Sequence, residues 1–112
     1  MKKFILLLLF LALPASALEK DYAIPWCNAN GGVSEYVLDD KTRVDCLTED
    51  YAIEFDYAYK WAEAVGQSLY YSEKTGKKPA IVLLMKKPTD IRYLNRIKKA
   101  TKNRVIVFKL WV

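Results

Sequence analysis

Six apolar residues in unbroken succession, Ala80-Ile-Val-Leu-Leu-Met85, stand between Pro79 and Pro88. Strand side chains alternate between the two faces of a sheet, so a run with no polar member offers neither face to water. Short and bracketed by prolines, the run predicts a buried central strand with other elements covering it.

The flanking patterns supply those elements. Residues 34–38, 42–47 and 51–56 predict three short strands in a meander, turned at Asp39-Asp40-Lys41 and at Glu49-Asp50. The period then changes. Ala58, Trp61, Ala62, Val65 and Leu69 follow helical spacing over residues 58–74, and Gly76 marks the stop. Thr89 is placed to cap a second helix with Ile91, Leu94 and Ile97 on one face. Residues 104–112, rich in Val, Ile, Phe and Trp, predict a last strand. Residues 18–32, with Pro25 and Asn30-Gly31-Gly32, read as an irregular lead-in. The order is β-β-β-α-β-α-β, an α+β class chain with a mixed sheet flanked by helices.

Residues 1–17 follow another logic. Lys2 and Lys3 precede an apolar run over residues 4–13, then Pro14 and the small residues Ala15-Ser16-Ala17. This is the layout of a cleavable signal peptide, and the run covers only about half a bilayer core. Residues 18–112 are then expected to form a single exported domain, periplasmic or secreted. In an oxidising compartment Cys27 and Cys46 are expected to pair as a disulfide. The chain has no histidine, which excludes Ser-His and Cys-His catalysis and histidine metal sites. It also lacks a glycine-rich phosphate loop.

Charge is unevenly placed. The net charge is +5, yet of the 13 acids only Asp90 lies beyond Lys86. An acidic middle beside a basic end suits a polyanionic ligand held near metal ions. A two-residue turn at Glu49-Asp50 sets Asp45 opposite Glu54 on the adjoining strands. Opposed carboxylates about 5 Å apart repel unless a cation lies between them. Glu54 and Asp56 share a face, and Glu35 reaches toward the same region from the preceding strand. Oxygen ligands of this kind suit Mg²⁺ first, with Mn²⁺ or Ca²⁺ also accepted. Lys60, Gln67 and Tyr71 then form a polar stripe on the next helix, starting beside the acids.

Asp45, then Glu54-Phe-Asp56, then a helix bearing Gln67-Ser-Leu-Tyr-Tyr71, resembles the PD-(D/E)xK nuclease superfamily, in particular its RecB-type branch with a Gln-x-x-x-Tyr helix. The resemblance covers residues 35–84. It implies a restriction-endonuclease-like core and Mg²⁺-dependent hydrolysis of phosphodiester bonds in DNA or RNA. It also implies metal ligation by Asp45 and Glu54, with Glu35 as an extra acid. Lys60 and Gln67 would be catalytic, and Tyr71 and Lys60 would meet the substrate. The family pattern carries Lys two residues after the Glu; here Asp56 stands there, and Lys60 is the nearby replacement. The alternative reading is a catalytically inactive nuclease-like domain that binds nucleic acid or an envelope protein.

Overall fold

The computed structural model describes residues 18–112. The expected signal peptide, residues 1–17, lies outside the described residues. In chain order the elements are helix α1 (Glu19–Ala29), strands β1 (Val33–Val37), β2 (Arg43–Leu47) and β3 (Tyr51–Tyr57), a 3-10 turn (Ala58–Lys60), helix α2 (Trp61–Thr75), strand β4 (Lys78–Met85), a second 3-10 turn (Pro88–Asp90), helix α3 (Ile91–Thr101) and strand β5 (Ile106–Trp111). The strands form one mixed sheet in the order β1-β2-β3-β4-β5. β1, β2 and β3 pair antiparallel, whereas β3, β4 and β5 run parallel. The domain is α+β, as the pattern predicts.

β4 is apolar throughout because both its faces are covered. Ala80, Val82 and Leu84 pack with Trp26 and Cys27 of α1 and with Ile53 and Phe55 of β3. Ile81, Leu83 and Met85 pack on the other face with Ala64 of α2 and with Leu94 and Ile97 of α3. Trp26 meets Phe55 edge-on, ring centroids 5.4 Å apart, and anchors α1 to the sheet. The disulfide is present: Cys27 on α1 is bonded to Cys46 on β2, with Cα atoms 5.6 Å apart. Gly32 passes so close to it that a Cβ there would lie 2.6 Å from the Cys46 sulfur and 2.7 Å from the Cys27 sulfur. Gly76 ends α2 in the left-handed conformation, the stop its position predicts.

Three local expectations are corrected. Residues 19–29 are helical, not irregular. Pro25 removes one helix hydrogen bond, but Ala23, Trp26 and Cys27 bury a common face against the sheet and the disulfide holds it there. Second, the buried face of α2 is formed by Ala64, Ser68 and Tyr71, while Ala62 is exposed and Leu69 is 46% exposed. The 3-10 turn at Ala58–Lys60 is the reason: its tighter period rotates everything after it relative to a continuous α-helix from residue 58. Small Ala64 and Ser68 then let the helix approach the sheet, and the Ser68 hydroxyl donates to the Val65 carbonyl at 3.0 Å. Third, Thr89 lies inside the second 3-10 turn, and Asp90 stands at the N-cap of α3 without a side-chain bond into that helix. Its buried carboxylate accepts the backbone N–H groups of Lys86 and Lys87, at 2.8 and 3.2 Å.

Candidate functional site

The predicted offset between β2 and β3 is present: Leu47 faces Ala52 and Cys46 faces Ile53, which brings Asp45 and Glu54 level. Backbone pairing between the two strands goes no further. Asp45 uses its side chain instead, and its Oδ2 accepts the N–H of Phe55 at 2.8 Å. The Asp45 and Glu54 carboxyls lie close enough for the charge of Asp45 to oppose ionisation of Glu54. Glu54 is 6% exposed, and its Oε1 is buried with no hydrogen-bond partner.

Burial, then the Asp45 charge, pushes the Glu54 carboxyl up to about 10, and every principal influence on it opposes ionisation. Burial raises Asp45 as well, although the Phe55 N–H favours its charged form. Asp56 is pushed up to about 7, by burial first and the Glu19 charge second, with Lys60 pulling the other way. Glu19 comes from the first turn of α1. Burial acts to raise it, but its own backbone N–H and Lys60 hold it below the usual carboxylate value. Lys60 Nζ lies 3.2 Å from Glu19 Oε1, and that contact raises the lysine. The site therefore holds two carboxyl pairs. Glu19 and Asp56 have Lys60 beside them; in Asp45 and Glu54, burial favours the protonated form of both carboxyls.

Asp45, Glu54, Asp56, Lys60 and Gln67 line one cleft of about 340 Å³, together with Glu19 and Glu63. The structure thus brings together four of the residues the sequence picks out, Asp45, Glu54, Lys60 and Gln67. Two others stand outside. Glu35, in the left-handed region at φ 53°, turns its carboxylate to Arg43 at 3.2 Å; its charge is felt at Asp45, but it does not line the cleft. Tyr71 is buried behind the acids, packed with Val44 and Ala52, and its phenol is raised by burial and then by the charges of Glu54 and Asp45. Glu19 and Glu63 are cleft residues the sequence reading passes over. Glu63 was within reach, four positions before Gln67 on the same helical stripe. Glu19 was hidden by the reading of residues 18–32 as irregular.

No group of three or more His, Cys, Asp or Glu side chains among the described residues is placed to hold a metal ion. The fit to a cation rests on the Asp45–Glu54 pair alone. That pair suits a hard divalent ion that keeps most of its waters: two carboxylates in contact, both raised, and one oxygen buried without a donor. No family model, curated protein or solved structure matches the chain.

Proposed function

We propose that the chain is an exported nuclease, hydrolysing nucleic-acid phosphodiester bonds with Mg²⁺ or Mn²⁺ on a restriction-endonuclease-like core. The observation that carries this reading is the Asp45–Glu54 pair, two carboxyl groups buried in contact with an orphaned oxygen. Such a pair is costly unless protonated or bridged by a cation. Asp45 and Glu54 would hold the ion. When bound, it supplies positive charge to the phosphate and acidifies a water.

The chain's own groups do the rest. Asp56, poised to about 7, accepts the proton of the attacking water. Lys60 faces the scissile phosphate and offsets its charge, with Glu19 fixing the ammonium at 3.2 Å. Gln67 offers amide hydrogen bonds to a water or a phosphate oxygen. Lys60 thereby replaces the lysine that the superfamily pattern places at position 56, and Asp56 becomes the base beside it. The disulfide supports the exported half of the reading, since such bonds persist in oxidising compartments.

One observation favours a second reading. Lys60 is committed to Glu19, as befits a domain that binds nucleic acid without cutting it. Incubating residues 18–112 with end-labelled DNA and RNA separates the two. With Mg²⁺ or Mn²⁺ we expect cleavage, abolished by chelator and reduced roughly 100-fold or more by Asp45→Ala or Lys60→Ala. Salt-sensitive binding with no cleavage under any metal would establish the second reading instead.

A further inference from the structure

Beside the cleft, at the carboxyl ends of the parallel strands, Tyr57, Tyr59 and Lys86, which the hydrolytic machinery does not use, adjoin Lys60, which it does. Tyr57 closes β3, and its ring stacks on that of Tyr59, centroids 6.2 Å apart and planes 14° from parallel. Tyr59 is 62% exposed, a large flat ring held at the surface. Tyr22 of α1 braces Tyr57 edge-on at 6.5 Å. Each ring of the stacked pair carries a cation: Lys86 Nζ lies 4.7 Å from the Tyr57 centroid and Lys60 Nζ 5.8 Å from that of Tyr59. Lys60 is the lysine that lines the cleft, so the exposed ring stands one side chain away from the acids.

We propose that this ledge seats single-stranded nucleic acid, one base stacking on Tyr59 while Lys86 and Lys60 meet the adjoining phosphates. The inference rests on the nucleic-acid reading above and names its substrate class. An exposed ring held by a second ring is preorganised for stacking, and flanking ammonium groups match a phosphate backbone in charge. A paired base inside a duplex offers no free face to such a ring, so the arrangement selects unpaired strands.

The test measures binding separately from cutting. A fluorescent oligothymidylate, and the same sequence annealed to its complement, are titrated into residues 18–112 in chelator. Fluorescence anisotropy follows binding at several salt concentrations. We expect tighter binding of the single strand, weakened roughly 5- to 100-fold by Tyr59→Ala and retained by Tyr59→Trp. Lys86→Ala should lower the salt slope by about 0.7. Equal affinity for single strand and duplex, or unchanged binding by Tyr59→Ala and Lys86→Ala, would overturn the ledge even if the protein cuts nucleic acid. Binding that depends on Tyr59 without hydrolysis would keep the ledge and remove the nuclease reading. No oligonucleotide binding at all would overturn the ledge and leave the aromatic surface to a protein partner.

Discussion

The Oδ2 of Asp45 accepts the backbone N–H of Phe55 at 2.8 Å, at the point where β2 and β3 stop pairing. A side chain stands in for a strand's backbone there and leaves the second carboxylate oxygen for the cleft. Replacing Asp45 by Asn keeps an acceptor for Phe55 and removes a charge beside Glu54. Asp45→Asn should therefore leave the metal-free protein as stable as wild type or more so. Asp45→Ala orphans the N–H and should cost about 1–3 kcal/mol. Urea denaturation of the two variants in chelator checks the ordering; equal stabilities would contradict it.

The raised carboxyls set a pH dependence. Glu54, up to about 10, and Asp56, up to about 7, hold protons in the fold that they lose when it unfolds at neutral pH. A group whose folded value is raised stabilises most below its unfolded value and loses that contribution as pH rises toward the folded one. The metal-free protein should then melt at higher temperature at pH 5 than at pH 8. Glu54→Gln should flatten the trend. A divalent ion that displaces protons from Asp45 and Glu54 should raise the melting temperature more at pH 8 than at pH 5. Calorimetric scans at the two pH values, with and without Mg²⁺, measure both differences.

Cys27 ties α1, which brings Glu19 to the cleft, to β2, which brings Asp45. Opening the bond by paired Cys27→Ala and Cys46→Ala should cost about 3 kcal/mol for a loop of this length. Gly32→Ala should also destabilise strongly, because its methyl would collide with both sulfurs. Denaturation midpoints follow both effects, and a free-thiol assay shows whether the disulfide still forms in Gly32→Ala.

Helix α2 gives the sharpest contrast between sequence and packing. Leu69 belongs to the apolar stripe in the sequence yet faces solvent, while Ser68 is fully buried. Leu69→Ala should change stability by less than about 1 kcal/mol. Ser68→Leu should cost about 1–3 kcal/mol by overpacking the helix against the sheet. Thermal denaturation of the two variants tests the order, and the reverse order would restore the stripe read from spacing.

Much of the fold was legible because its signals are local. The apolar run of β4, the turns at residues 39–41 and 49–50, and Gly76 each determine their own neighbourhood. What was lost depends on tertiary contact. α1 hides behind Pro25 and is held by Trp26 and a disulfide that join it to distant strands. The rotation of α2 arises from one 3-10 turn that spacing does not register. The site was half legible for the same reason. Asp45 and Glu54 follow from a hairpin register, and Lys60 and Gln67 from a helical period, all short-range rules. Glu19 comes from a helix the pattern missed. Glu35 leaves the cleft through a left-handed backbone angle and an ion pair with Arg43, neither of them written in strand alternation.

Isothermal titration of Mn²⁺ into metal-free residues 18–112 at pH 8 tests the cation claim most directly. Wild type should bind one ion and release protons as it does so, and Glu54→Gln should bind none in the same range while keeping its fold by circular dichroism. No binding by wild type up to millimolar Mn²⁺, or equal binding by Glu54→Gln, would contradict the assignment of Asp45 and Glu54 as the pair that holds the ion.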